Sequence, residues 1–222
     1  MSTSDSSEPL RRARRLRLGA VSRLSSGEPQ RTTRTRREEL LEIAAELFAA
    51  RGFVNVTVDD LGAAAGVSGP ALYHHFDSKE AMLGEMLVDI SHHLLEQGRE
   101  LQSTLSPDAL LDELVAHHVE FAVDHRALIA VHFRDLVQAN DDDQRRVRRL
   151  QREYVEIWVD AVLQENPEVG TAGARAAVHA GLGLINSTPF SPRMRRSELV
   201  ALLQAMAIGA LTSVADLETE DV

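Results

Sequence analysis

The chain of 222 residues has no cysteine, which excludes disulfides, thiol catalysis and thiolate metal sites. Aromatic residues make up only 4% of it, with a single Trp, and the abundance of Ala and Leu favours helices over sheets. It also lacks any apolar run of about 18 residues and any leader-like start, so neither a membrane span nor export is expected and a cytoplasmic location is implied. No nucleophile–base motif and no His-Glu-x-x-His pattern occur, which argues against an enzyme. The nine histidines do not suggest metal binding either. The adjacent pairs His92-His93 and His117-His118 diverge by about 100° on a helix, so each supplies at most one inward ligand. No metal and no cofactor are expected. The length suits a small domain followed by a larger one.

Positive charge is scarce where it would be most useful and dense elsewhere. The formal net charge is −10. Residues 1–37 hold ten Arg against three acids, whereas residues 38–80 hold only Arg51 and Lys79 against eight. The basic stretch divides into RRARRLRLGAVSRL at 11–24, a Ser/Gly/Glu/Pro hinge at 25–30 and RTTRTRR at 31–37. It reads as a disordered arm, residues 1–34, that follows a nucleic-acid backbone or enters a minor groove. A solvated extension, or an amphipathic piece lying on an acidic surface, remains the alternative. Arg31, Arg34, Arg36 and Arg37 abut the first helix and are the arm's leading candidates for phosphate contact.

The most informative stretch is TVDDLGAAAGVSGPALYHHFDSKEAML at 57–83. Thr57 can cap a short helix, with Asp60 in the capping-box position. Val58, Leu61 and Ala65 line one face of that helix, and Gly66 suits its left-handed C-cap. Ser68 caps a second helix with Pro70 in its first turn, where the missing N–H costs nothing. Two short helices across a Gly-containing turn offer a helix N-terminus to the DNA major groove. A preceding helix starts near Thr35, with Glu38 completing a capping box, and buries Leu40, Ile43, Ala44, Leu47 and Phe48.

These residues resemble the DNA-binding domain of the TetR family of transcriptional repressors. The first helix ends in Leu47-Phe48-Ala49-Ala50-Arg51-Gly52-Phe53, a second runs from Thr57 to Leu61, and Gly69 to Leu83 supply the closing Gly-x-x-Leu-Tyr-x-x-Phe-x-x-Lys-Glu pattern. The resemblance implies an all-α protein: a three-helix helix-turn-helix domain at 35–80, then a helical effector-binding and dimerisation domain at 81–222. It implies that Tyr73 and Lys79 clamp phosphate, with Thr57 adding its hydroxyl. Ser68, Gly69, Pro70, Ala71 and His74 are the base-facing candidates. None is Arg, Asn or Gln, so readout leans on thymine methyls, His74 and DNA shape.

Beyond residue 77, Asp77 with Glu80 can cap a long helix running to about Thr104, and Pro107 starts the next. Asp124 can cap a third, the polar run Asn140 to Asp143 reads as a turn, and Asn166-Pro167 ends a helix carrying Val147, Leu150, Tyr154, Trp158 and Ala161 on one stripe. Tyr154 and Trp158 either wall a ligand cavity or fill the core. Met86, Ile90, His93, His118 and Phe121, with His132 and Asn186, complete the candidate effector pocket. The last two helices differ in character. Residues 176–192 carry no Asp, Glu, Lys or Arg, and the family resemblance implies that the final helices pair with their copies. Ala180, Gly181, Leu184, Leu202, Met206 and Ala210 are the interface candidates, with burial inside one subunit as the alternative.

The reading is a homodimeric repressor of double-stranded operator DNA, released by a small, mainly apolar effector that is lipid-like or an acyl thioester. A non-specific architectural nucleic-acid-binding protein using the Arg-rich arm is the alternative, with an enzyme behind it.

Overall fold

Thr35 opens the first helix through a reciprocal cap: its hydroxyl accepts from Glu38 N at 3.3 Å, and the Glu38 carboxylate accepts from Thr35 N at 3.0 Å. The computed structural model describes residues 35–213. Helix α1, Arg36–Arg51, buries Leu40, Ala44, Ala45 and Phe48 and stops at Gly52, whose N–H bonds Phe48 O at 2.8 Å. Phe53 then packs edge-on against Phe48, ring centroids 5.1 Å apart.

A second capping box at Thr57 and Asp60 starts α2, Val58–Ala65, and Gly66 ends it at φ 68°, ψ 30°, the left-handed cap that glycine adopts without strain. Helix α3, Gly69–Leu72, follows at once. The two helices cross on glycine: a Cβ on Gly62 would lie 2.8 Å from the carbonyl oxygen of Val67, and one on Gly69 would lie 2.6 Å from Asp59 Oδ1. At Gly62 the obstacle is backbone, so the turn closes only because that side chain is absent, whereas at Gly69 it is the movable end of the Asp59 side chain.

The remaining helices are α4 (Lys79–Thr104), α5 (Pro107–Asp124), α6 (Arg126–Asp135), α7 (Asp141–Glu165), α8 (Gly170–Ile185) and α9 (Arg196–Thr212). Three caps differ from the sequence expectation. Ser78 caps α4 in place of Asp77, its Oγ accepting from Ala81 N at 3.0 Å. Asp124 ends α5 rather than capping α6, and its carboxylate holds Arg196 at 2.7 Å. Asn140 caps α7 by accepting from Asp143 N at 2.9 Å, so the expected polar turn is the first turn of a helix.

The chain forms two compact units. Among the described residues, the first holds 35–90 together with Ala130–Gln144. It therefore extends past residue 80 and includes a segment from much later in the chain. The second holds Ser91–Ile129 and, among the described residues, 145–213. In it α9 packs on α5 and α8, burying Leu199, Leu203, Ala207 and Leu211. Trp158, at the centre of the α7 stripe, is fully buried. Among the described residues no helix is long and apolar enough to cross a membrane.

Gly181 corrects one expectation. A Cβ there would stand 3.1 Å from Leu211 Cδ2, so this glycine serves the α8–α9 crossing inside one subunit rather than a face offered to a second copy. Ala180, Leu202 and Met206 are exposed, while Leu184 and Ala210 are half-buried.

Gly62→Ala forces a methyl against backbone and should cost about 1–3 kcal/mol. Thermal unfolding followed by circular dichroism checks this, and an unchanged Tm would mean that the turn does not depend on the glycine contact.

Candidate nucleic-acid interface and interior cluster

The reading surface is what the glycine-closed turn leaves outside. Ser68, Pro70, Tyr73 and His74 are exposed and Ala71 is half-buried, while Leu72 and Phe76 point into the core. Ser68 occupies the N-cap position of α3 but makes no side-chain capping bond, so its hydroxyl is not committed to the helix. Gly69 is buried. Its Cβ position faces the Asp59 carboxylate and the Val58 side chain, so it does not offer a contact surface. Tyr73 is 55% exposed, a large side chain presented to solvent.

The cations expected on this surface are engaged within the first unit. Arg36 donates to Ala65 O at 2.7 Å, closing the C-terminus of α2, and pairs with Glu39 at 2.9 Å. Arg37 donates to His75 O, pairs with Glu85 and lies over the Phe76 ring at 4.2 Å. Its guanidinium is held above its ordinary pKa by the hydrogen bond to Glu85. Lys79, the only lysine of the chain, donates to Phe53 O at 2.9 Å and Val56 O at 2.8 Å and lies 4.2 Å over the Phe53 ring. Thr57 places its hydroxyl on Asp60, donating to Oδ2 at 2.6 Å and accepting from N at 3.1 Å. Arg36, Arg37, Lys79 and Thr57 thus bind the motif's own backbone, caps and acidic neighbours in this structure, which holds no DNA. Arg31 and Arg34, with the rest of the arm, lie outside the described residues.

A fourth internal cation was not legible in the sequence. Arg134 donates to Phe48 O and Ala49 O at the end of α1, and its neighbour Asp135, whose side chain is 6% exposed, accepts from it at 2.9 Å. Nothing local marks this pair, because its carbonyl partners lie more than eighty residues earlier.

In the second unit, side chains from α5, α7 and the end of α8 meet around His118. Tyr154 Oη lies 3.2 Å from His118 Nδ1, and His118 Nε2 lies 3.2 Å from Asn186 Oδ1. With Asn186 Oδ1 as acceptor, the imidazole carries its proton on Nε2 and Nδ1 accepts from the phenol. Trp158 stands edge-on to both rings, at 5.8 Å from His118 and 5.9 Å from Tyr154. Burial pushes His118 down to about 4 and raises the Tyr154 phenol, so both are neutral near pH 7.

Four of the expected pocket residues, His118, Tyr154, Trp158 and Asn186, therefore come together. His93 and Phe121 meet each other, ring centroids 6.1 Å apart, and Phe121 also stacks on His125 at 4.7 Å, a neighbour missed in the sequence. Met86, Ile90 and His132 belong to the first unit. Met86 and Ile90 are core residues there, so the nine candidates do not form one described cluster.

Two contrasts follow from these contacts. Lys79→Met should lower stability by about 2 kcal/mol, since it removes charge-assisted bonds to two carbonyls. Tyr73→Ala should leave Tm nearly unchanged and weaken DNA binding by about 1 kcal/mol or more. Melting curves and DNA titrations on the two variants separate the roles, and a Lys79→Met protein with wild-type Tm contradicts the internal assignment.

His118 also sets a pH dependence. Its folded pKa of about 4 lies below an unfolded value of about 6.5, so between those values only the unfolded chain binds the proton. Stability is therefore present above the unfolded value and is lost as pH falls toward the folded one. His125 and His132, also lowered by burial, act with the same sign. Denaturant titrations from about pH 7 to about pH 5 should show His118→Gln losing about 2 kcal/mol less than wild type. Equal losses would mean that His118 is not held neutral.

Comparison with known proteins agrees with this architecture. Residues 40–86 match the family described as bacterial regulatory proteins, tetR family, and residues 104–190 match the tetracyclin repressor-like C-terminal domain. The HTH-type transcriptional repressor KstR2 of Rhodococcus jostii is 39% identical over 127 residues, 56% of this chain and 62% of that protein. Its Mycobacterium tuberculosis counterpart is 34% identical over 145 residues, 61% of this chain and 68% of that one. The chain thus spans about two thirds of the length of these curated relatives. Among solved structures, a TetR-family regulator from Bordetella parapertussis superposes with TM-score 0.72 at 25% identity, over 86% of this chain and 99% of that one. The ketosteroid transcriptional regulator KstR2 of M. tuberculosis superposes with TM-score 0.68 at 25% identity, over 80% and 95%. The two matched regions, in chain order, are the helix-turn-helix and the helical domain described above, and the chain belongs to the TetR family of bacterial transcriptional regulators.

Proposed function

We propose that the chain is a homodimeric, cytoplasmic repressor that binds a palindromic operator and leaves it when a small, mainly apolar molecule enters its second unit. The observation that carries the DNA half is the exposed surface of Ser68, Pro70, Tyr73 and His74 directly after a turn closed by glycine. Pro70 and Ala71 offer apolar contact to thymine methyls, and His74 offers a ring nitrogen to a base edge. Tyr73 and the N-terminal amides of the short helices meet phosphate. The arm at 1–34 supplies the cationic charge that the motif directs inward, releasing counterions as it neutralises phosphates.

The exposed Ala180, Leu202 and Met206 give a second copy an apolar surface to cover, and a two-fold dimer imposes its symmetry on the operator. A protein described as a ketosteroid transcriptional regulator is among the similar solved structures, which supports a hydrophobic effector. The protein acts by binding alone. An effector that prefers the conformation unable to span both half-sites shifts the population toward it, and DNA must weaken effector binding by the same factor.

Footprinting on DNA flanking the protein's own coding sequence tests this reading. The expected result is a two-fold-symmetric protected site with half-sites about one helical turn or more apart. Protection without boundaries would assign the chain instead to non-specific nucleic-acid binding.

A further inference from the structure

Helix α7 carries its charge unevenly. Residues 81–222 hold twelve bases against twenty-three acids, yet residues 144–152 hold Arg145, Arg146, Arg148, Arg149 and Arg152 and no acid. All five are exposed, on turns whose inner side is buried at Val147, Leu150 and Tyr154. Several of these arginines stand three or four residues apart, where like charges are neighbours and destabilise a helix. The acids one turn away could neutralise them, but those acids have partners elsewhere. Glu153 accepts from Arg99 of α4 at 2.7 Å and reaches Arg149 only at 4.0 Å. Glu156 takes both arms of Arg175 of α8 at 2.6 and 2.8 Å, and Asp143 accepts from Asn140 at 2.6 Å. Asp142, Arg145 and Arg148 are engaged. Among the described residues Arg146 and Arg152 make no hydrogen bond and no ion pair, and Arg149 has only its long, exposed contact to Glu153.

A row of unmatched guanidiniums fits a row of anionic oxygens. Arg146, Arg149 and Arg152 follow one another at three-residue steps, about 9 Å from first to last along the helix. Duplex DNA presents one phosphate charge per about 1.7 Å of its axis, so this row faces about five of them, and the guanidinium fork matches phosphate oxygens. Two observations favour DNA over another polyanion. The chain belongs to a family of DNA-binding regulators. Every described cation of the first unit, Arg36, Arg37, Arg51, Lys79 and Arg134, already sits on a carbonyl or a carboxylate. Helix α7 itself passes from the first unit, which holds Asp141–Gln144, into the second at Arg145. Along the chain, the stripe therefore starts where the DNA-reading unit ends.

We propose that Arg146, Arg149 and Arg152, on the outer face of α7, form a second DNA-binding surface that holds the phosphate backbone of the duplex without reading its sequence. This rests on the DNA-binding half of the reading under Proposed function and adds to it a contact outside the helix-turn-helix.

Salt titrations of the full-length protein on an operator duplex with flanking sequence on both sides test the surface. Arg146→Gln/Arg152→Gln is expected to make the plot of log affinity against log salt less steep by about 1.8 per subunit, about 0.9 for each phosphate no longer neutralised. The ratio of operator to scrambled-duplex affinity should stay as in wild type, because phosphate contacts carry no sequence information. Arg193→Gln/Arg195→Gln removes the same charge from the exposed link between α8 and α9 and is expected to leave the slope close to wild type. The stripe variant should melt at or above the wild-type Tm, since it relieves like-charge pairs. An unchanged slope, or an equal change in the control variant, overturns the surface and leaves the arginines to solvent. A lower Tm overturns it by showing that the two side chains hold the fold, and an altered operator preference overturns the phosphate assignment. Binding to phosphatidylglycerol vesicles that the stripe variant loses, with its DNA slope unchanged, moves the stripe to a lipid surface and overturns the DNA contact. Footprints separate this from the broader reading. A bounded, two-fold-symmetric footprint with an unchanged slope keeps the operator reading and sinks the stripe. A wild-type footprint without boundaries, with the slope reduced in the variant, keeps the stripe and sinks the operator reading.

Discussion

Carbonyl oxygens at helix C-termini have no partner within their own helix, and the DNA-reading unit meets that need with its cations. Arg36 closes α2 at Ala65, and Arg134 closes α1 at Phe48 and Ala49. Arg37 holds His75 just after α3, and Lys79 gathers Phe53 and Val56 in the link between α1 and α2. Helices as short as α2 and α3 bury little surface each and are marginal alone. Cations placed on their carbonyl ends complement the helix dipoles and fix where one helix stops relative to the next. Two of the four also lie over phenylalanine rings, so the same groups help seal the small core.

This use of charge changes how the unit can meet DNA. Residues 38–80 carry two bases against eight acids, and Lys79, one of the two, has its ammonium on carbonyls. What the reading surface offers is a hydroxyl at Ser68, an apolar edge at Pro70 and Ala71, a phenol at Tyr73 and an imidazole at His74. Such a set distinguishes sequences by thymine methyls and by groove shape more than by bidentate base contacts. In the reading proposed above, long-range attraction falls to the arm and to helix N-termini.

The second unit follows the opposite rule, with neutrality at its centre. His118, Tyr154, Trp158 and Asn186 form a buried polar group without formal charge, because desolvation keeps the imidazole deprotonated and the phenol protonated. The charged pairs of this unit sit outside: Arg196 with Asp124, Arg175 with Glu156, and Arg99 with Glu153. Those exposed pairs contribute little to stability. The interior network is the more specific element, since each of its bonds fixes a ring orientation.

Local chemistry made much of the fold legible in the sequence. The capping boxes at Thr35–Glu38 and Thr57–Asp60, the left-handed stop at Gly66, Pro107 opening α5 and Asn166-Pro167 closing α7 each depend on residues within one turn of one another. The stripe of Val147, Leu150, Tyr154 and Trp158 needed only the helical period, and the spacing of Phe48, Gly52, Phe53, Tyr73, Phe76 and Lys79 carried the family. Tertiary structure decided where polar and small side chains point. Arg36 finds its carbonyl 29 residues away, Arg37 38 and Arg134 85 and 86, and no periodicity encodes such partners. Gly181 reads equally well as an interface or an interior residue until Leu211 is placed against it. A guanidinium or a glycine is compatible with many environments, so the sequence supplies the group and only the packed chain determines what it touches.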